Sequence, residues 1–232
     1  AEGWHPGPPP RSPPAVRSGK KVAIVGAGPA GLMAGYRLSR LGHAVTIFEA
    51  MSTPGGALAA CIPNFRLPKD VLEADIQFIR NAGVEIRTGM RVGRDIGWDD
   101  LCDQFDAVFV AAGAHKSRKL GLPNEDAAGV IDALEFLKQV NQGRAVEIGP
   151  QVGVVGGGNT AVDAARTARR MPGCRKVTLI YRRTRQEMPA FAEEIEEALA
   201  EGVEMLFLVA PQGILTKDGK LCGLECVRTA LG

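Results

Sequence analysis

The chain is predicted to be an α/β protein with two Rossmann-like, dinucleotide-binding units, and three observations carry that prediction. Gly26-Ala-Gly28-Pro-Ala-Gly31 and Gly156-Gly-Gly158-Asn-Thr-Ala161 each follow a short apolar run and open a helical pattern, which is the order of a phosphate-binding glycine loop. Each helix leads into a second apolar, β-branched run, so β-α-β occurs twice. The second runs end differently, in Glu49 and in Tyr181-Arg182-Arg183, which implies two different nucleotides.

The elements read in order as follows. Residues 1–19, AEGWHPGPPPRSPPAVRSG, form a proline-rich linker, because proline removes donors and holds the backbone extended. An SH3-type ligand is the rival reading of the PPPRSPP stretch, and a linker at this place suggests an N-terminal portion absent or removed. Lys21 to Val25 is a strand; a helix runs to Leu41 with Leu32, Tyr36, Leu38 and Leu41 near helical spacing, and Gly42 stops it. Ala44 to Phe48 is the second strand. After Pro54-Gly55-Gly56 a helix is expected from Lys69 to Ala82, then a strand at Val84 to Arg87 and a buried strand at Ala107 to Ala112. In the second unit Val130 to Val140 reads as a helix, Gln151 to Val155 as a strand, Thr160 to Arg170 as a helix and Lys176 to Tyr181 as a strand. Ala190 to Glu201 is an acidic helix with Phe191, Ile195, Ala198 and Leu199 as its buried stripe and Gly202 as its cap. Its glutamates read as a solvated face rather than a docking surface. Met205 to Val209, Gly213 to Thr216 and Leu221 to Arg228 read as a β-meander, with Lys217-Asp218-Gly219-Lys220 as a hairpin turn. The domains expected are therefore 20–122 and 123–232, after the linker.

Bulk properties exclude several classes. The 232 residues are 45% hydrophobic, with net charge +2 and pI near 8.4, so a nucleic acid or anionic membrane partner is not indicated. No apolar run reaches the length of a membrane span and no signal-like segment opens the chain, which makes a cytoplasmic protein the expectation. The five cysteines, Cys61, Cys102, Cys174, Cys222 and Cys226, contain no C-x-x-C pair, arguing against a disulfide scaffold or an iron-sulfur cluster in this chain. Cys222 and Cys226 share one face of an expected strand and read as packing rather than as a metal clamp. His5, His43 and His115 lie near turns or termini and are not assigned a role.

The motifs say what each unit can bind. In the first, Gly26 permits the tight turn, Gly28 lets backbone approach a pyrophosphate and Gly31 lets the helix lie on the sheet; the helix N-terminus offers free N–H groups to the phosphates. Glu49 ends the second strand, where a carboxylate can accept both ribose hydroxyls of an adenosine and would repel a 2′-phosphate. In the second, Gly156 and Gly158 recur and Ala161 replaces the third glycine. Tyr181 aligns with Glu49, and Arg182, Arg183 and Arg185 follow, so this site should prefer NADPH over NADH by roughly 2 to 4 kcal/mol if two charge-assisted contacts form. Eight basic and no acidic residues lie from Arg166 to Arg185. A basic face balancing the acidic helix is the alternative reading; since not all eight can touch one nucleotide, Arg166, Arg169 and Arg170 are placed on the helix surface and facing those glutamates. Together the units suggest a flavin and a nicotinamide exchanging a hydride, chemistry the cofactors carry without a side-chain nucleophile or acid-base pair. No catalytic residue and no metal ligand is assigned.

Ile62-Pro63-Asn64-Phe65-Arg66-Leu67-Pro68, Val108-Phe-Val-Ala-Ala-Gly113-Ala114, Gly156-Gly-Gly-Asn-Thr-Ala-Val-Asp163 and Tyr181-Arg-Arg-Thr-Arg-Gln-Glu-Met-Pro189 resemble the small subunit of NADPH-dependent glutamate synthase and the FAD/NADPH module of dihydropyrimidine dehydrogenase. The resemblance covers everything after residue 19. It implies two Rossmann-like three-layer domains, with an NADPH domain inserted in the FAD domain. It implies FAD contacts from Gly28, Pro29, Ala30, Gly31, Glu49, Gly56, Ala57, Arg66 and the Val92 backbone, and NADPH contacts from Gly158, Asn159, Thr160, Ala161, Arg182 and Arg183. Hydride would pass from NADPH to FAD, and electrons onward to iron-sulfur clusters on an absent N-terminal domain or to a larger catalytic subunit. Gly232 would fall inside the fold, leaving both the FAD and NADPH domains incomplete. Cys61 has no second cysteine beside it for a thioredoxin-reductase disulfide. An adrenodoxin-reductase-like NADPH reductase and a truncated nucleotide-binding module without turnover are the rival readings.

Overall fold

The computed structural model describes residues 16–117 and 119–231. The proline-rich stretch to residue 15, with its SH3-ligand reading and His5, lies outside the described residues. The chain divides into two compact units, one ending at Ala114 and the other beginning at His115.

The first unit contains β1 (Lys21–Val25), α1 (Pro29–Arg40), β2 (Ala44–Phe48), α2 (Ala57–Ala60), α3 (Lys69–Asn81), β3 (Val84–Arg87), α4 (Trp98–Gln104) and β4 (Ala107–Val110). Its parallel sheet has the order β3-β2-β1-β4. Proline at the first position of α1 presets the helical φ, and Arg37 and Arg40 in its last turn complement the helix dipole. Gly42 ends it at φ +90°, where a Cβ would come within 2.4 Å of the Val16 carbonyl oxygen. One sheet face buries Ile24 and Ile47 against Leu32 of α1 and Ile76 of α3, and the other buries Ala23 and Phe48 against Leu101 of α4. Each such large aliphatic or aromatic residue contributes about 1.5–3 kcal/mol.

The second unit contains α5 (Ala133–Asn141), β5 (Gln151–Val155), α6 (Asn159–Arg170), β6 (Lys176–Tyr181), a 3-10 turn (Arg185–Glu187), α7 (Ala192–Ala200), β7 (Glu204–Phe207), β8 (Val209–Lys217) and β9 (Lys220–Arg228). A parallel sheet β5-β6-β7 and an antiparallel pair β8-β9 result. Val162 and Ala165 of α6 pack with Leu137 of α5, Val177 and Leu179 of β6 and Ile195 of α7 in one core.

Several expectations are corrected. β4 is not buried: it is an edge strand with Phe109 43% and Val110 56% exposed. A β-branched run reports a strand but not whether its second neighbour exists. The meander is a hairpin instead, because β7 joins the parallel sheet beside β6 and the chain then turns at Leu208, φ +55°. The hairpin turn itself is as read, with Asp218 and Gly219 both at positive φ. Cys222 sits at a register shift in β9 and is exposed, not packed. In α7 the buried residues are Ile195 and Ala198, while Phe191 is 59% exposed; Phe191 is the N-cap and lies outside the helical period. α5 begins at Ala133 because Asp132 accepts the Glu135 N–H at 3.0 Å and caps it. α2 and α4 are too short to show a period.

Candidate functional site

Two sites are built at the carboxyl ends of β1 and β5. Val25 pairs with Phe48 and Val155 with Ile180, so the next residues, Gly26 with Glu49 and Gly156 with Tyr181, occupy matching positions. The Gly26 N–H donates to the Phe48 carbonyl at 2.8 Å and the Gly156 N–H to that of Ile180 at 3.0 Å.

In the first unit Gly26 has φ +106°, and a Cβ there would lie 2.4 Å from the Ala111 carbonyl oxygen. A Cβ on Gly31 would lie 1.9 Å from the Gly26 oxygen, which leaves no room for alanine. Gly28 is the N-cap of α1 and makes no side-chain cap bond, so Pro29 and Ala30 expose the first turn to a ligand. The diglycine loop is fitted to this turn: the Gly55 N–H donates to the Ala27 carbonyl at 2.8 Å, and a Cβ on Gly56 would lie 2.7 Å from the Gly28 Cα. Such a cradle, floored by backbone and free of side chains, fits a dinucleotide pyrophosphate.

Glu49 is 6% exposed. The Ala27 N–H donates to its Oε2 and the Met51 N–H to its Oε1, each at 2.7 Å, leaving one lone-pair direction on each oxygen for a ribose hydroxyl. Ala57 opens α2 beside Gly56, and Arg66 is half-buried in the turn after Pro63. Asn64 Oδ1 accepts the Lys69 N–H at 3.0 Å, while Lys69 Nζ donates to the carbonyls of Ile62 at 2.6 Å and Leu58 at 3.2 Å. The IPNFRLP string is thus folded by its own Asn64 and by the lysine that follows it. Burial pushes the Lys69 ammonium below its usual range despite the opposing influence of Cys61. Val92 is half-buried, bridged to Ile96 and packed near Ala23 and Phe48.

In the second unit Gly156 has φ +141°, and a Cβ there would stand 3.0 Å from the Ala161 Cβ. Helix and turn are spaced to admit Ala161 where the first unit admits glycine alone. Gly158 is the N-cap of α6, and Asn159 and Thr160 form its first turn. Asn159 Oδ1 accepts the Phe191 N–H at 3.0 Å, so this side chain orders the returning chain. Tyr181 lies against Gly157, and its hydroxyl donates to the Glu187 carbonyl at 2.7 Å.

The basic run from Arg166 to Arg185 divides by partner. Arg166 is not on the surface; it is 3% exposed and pairs with Glu194, with Glu197 at 2.5 Å and with Glu201 at 2.8 Å. Arg170 pairs with Glu201 at 2.5 Å, so these glutamates bind α6 rather than form a solvated face. Burial pushes the Glu201 carboxyl up, but bonds and charges from Arg166 and Arg170 outweigh it and hold the group below its usual range. Arg185 pairs with Glu196, and Lys176 with Glu204 at 2.8 Å. Arg182 and Arg183 are exposed and form no salt bridge among the described residues. Their backbone carbonyls accept from the Thr229 hydroxyl at 2.7 Å and the Leu208 N–H at 3.1 Å. Thr184 and Glu187 form a reciprocal capping box, and the Thr184 hydroxyl, with Arg183 nearby, holds the Glu187 carboxyl below its usual range. The pairing of Arg166 with these glutamates was legible in the sequence, while its burial was not; the tie made by Tyr181 was not read, and the Gly157 opposite it was the available signal.

Among the described residues no cluster of three potential metal ligands occurs and no helix is long and apolar enough to cross a membrane. The pyridine nucleotide-disulphide oxidoreductase family model matches residues 20–227. The chain is 50% identical over 221 residues to the NADP(+)-dependent formate dehydrogenase subunit beta of Moorella thermoacetica, covering 94% of this chain and 31% of that one. It is 44% identical to the NADPH-Fe(3+) oxidoreductase subunit beta of Geobacter sulfurreducens (strain DL-1 / KN400), covering 100% and 35%. It is 41% identical to the glutamate synthase [NADPH] small chain of Escherichia coli (strain K12), covering 93% and 48%. It therefore spans between about a third and about a half of the length of these relatives. Mycobacterium tuberculosis FprA in complex with NADPH has a similar fold, with TM-score 0.75 at 21% identity over 91% of this chain and 69% of that one.

Proposed function

The chain belongs to the pyridine nucleotide-disulphide oxidoreductase family, and from that premise we propose that it is the FAD- and NADPH-binding part of an NADPH-dependent flavoprotein oxidoreductase of glutamate-synthase small-subunit type. One observation carries the assignment of the two nucleotides: at matching strand ends stand Glu49 in one unit and Tyr181, followed by exposed Arg182 and Arg183, in the other. A buried carboxylate accepts ribose hydroxyls and repels a phosphate, so the first site takes the adenosine end of FAD; guanidinium forks favour a 2′-phosphate, so the second takes NADPH.

NADPH and FAD, when bound, supply the hydride donor and the hydride acceptor respectively. The chain supplies position. Gly28, Pro29, Ala30, Gly31, Gly56 and Ala57 would hold the first pyrophosphate, Glu49 its ribose, and Arg66 and the Val92 backbone the remainder of FAD. Gly158, Asn159, Thr160 and Ala161 would hold the second pyrophosphate. The relatives named as subunits or small chains support a partner subunit; in this reading the electrons would leave to iron-sulfur centres on that partner or on further chain.

The test is anaerobic bleaching of flavin in the FAD-reconstituted protein, titrated with NADPH and with NADH. Arg182→Ala with Arg183→Ala is expected to raise the NADPH requirement about 30-fold or more while leaving that for NADH unchanged. Equal loss for both would remove the NADPH assignment, and protein that cannot be reconstituted with flavin would support a passive nucleotide-binding module.

A further inference from the structure

The arginine turn after β6 is joined to the second glycine turn at both of its ends. At the near end the Tyr181 ring lies against Gly157, where a Cβ would stand 2.5, 2.6 and 2.8 Å from three ring carbons. The same side chain reaches across the turn, donating its hydroxyl to the Glu187 carbonyl at 2.7 Å. At the far end the Ala190 N–H donates to the Gly157 carbonyl at 3.2 Å, and the Phe191 N–H to Asn159 Oδ1 at 3.0 Å. Between these ties the Thr184–Glu187 capping box closes the 3-10 turn, and Arg185 is drawn to Glu196. Arg182 and Arg183, the arginines of this turn that form no salt bridge among the described residues, thus project from backbone whose direction is set by what holds the turn.

We propose that Tyr181 is a positioning residue for recognition of the 2′-phosphate, acting through Arg182 and Arg183; this rests on the assignment of NADPH to the second site. An arginine loses rotamer entropy for each contact it fixes, so its contribution to affinity depends on being launched toward the ligand beforehand. The hydroxyl of Tyr181 spans Arg182 to Gln186 in a single bond to Glu187, holding the segment that carries both guanidinium stems. The matching residue of the first unit, Glu49, ties its own glycine turn through the Ala27 N–H and leaves no equivalent turn to be held. Tyr181→Phe keeps the ring against Gly157 and removes the tie alone. It should therefore weaken ligands that carry the 2′-phosphate and spare those that do not.

The experiment is calorimetric binding of adenosine 2′,5′-bisphosphate and adenosine 5′-phosphate to the intact protein, its Tyr181→Phe variant and its Arg182→Ala/Arg183→Ala variant. Tyr181→Phe is expected to weaken the bisphosphate about 3- to 10-fold, the range of one lost hydrogen bond, with adenosine 5′-phosphate unchanged. Equal weakening of both ligands, or of neither, overturns the positioning role. If the double arginine variant abolishes the preference while Tyr181→Phe keeps it, the Tyr181 proposal alone fails. If the double variant also keeps the preference, the NADPH reading fails and the proposal falls with it.

Discussion

In the first unit the residue at the end of β2 is an acid that turns inward and binds the glycine loop through the Ala27 N–H; in the second, the residue at the end of β6 is an aromatic that lies on the loop at Gly157 and binds the turn beyond it. The helices behind the loops differ in the same sense. Burial in α1 is confined to Gly31, Leu32, Gly35 and Ser39, the stripe of a helix covered on one side. In α6 every residue from Ala161 to Ala168 is buried, including Asp163, Arg166 and Thr167, because α5 and α7 also lie against it. A shared glycine-turn backbone is thus specialised by what stands at the strand end and behind the helix. The turns also differ in their donors: Pro29 has no N–H where Asn159 offers one, and the Ala27 N–H is held by Glu49.

The greatest expected effect tests the backing of α6. Arg166→Ala would strand Glu194 and Glu201 near the core, and breaking a buried pair by removing one partner typically costs about 3–5 kcal/mol. Urea denaturation followed by a probe in the second unit should show that loss; a change below about 1 kcal/mol would mean the cluster is a surface feature after all.

The glycine-alanine difference can be inverted next. Gly31→Ala places a Cβ 1.9 Å from the Gly26 carbonyl oxygen and should cost about 3 kcal/mol, the upper end of overpacking, whereas Ala161→Gly should cost about 1 kcal/mol through helix propensity. Similar melting shifts for the two variants would show that the turns are spaced alike.

The smallest effect is in the acid limb. Because Arg166 and Arg170 hold the folded-state Glu201 carboxyl below its ordinary 4.5, its contribution is fully present above that pH and is lost as pH falls through the folded value. The stability of Glu201→Gln should therefore fall less steeply than that of the unmodified chain below about pH 4.5. Parallel slopes would place the acid sensitivity elsewhere, for instance in the first unit.

Much of this was legible from local pattern. The β-α-β order, the tight glycine turns and the strand-end positions of Glu49 and Tyr181 follow from periodicity and spacing, which act within a few residues. Elements with too few residues to show a period, α2 and α4, escaped that reading. So did the fate of the last strands, since β7 pairs with β6 more than twenty residues earlier in the chain, and a hydrophobic run does not name its partner.

By itself the sequence determined the two tight glycine turns and the unlike side chains that follow them, because a glycine's missing Cβ and a side chain's charge are properties of single residues. Tertiary structure decided how basic residues of the run from Arg166 to Arg185 were shared out. Arg166 and Arg170 went to the glutamates of α7 and one of its flanking residues, Arg185 to Glu196, and Arg182 and Arg183 to solvent. The physical reason is that Coulomb attraction within a protein depends on separation and burial, and neither exists until α6, α7 and the turn between β6 and α7 are packed together.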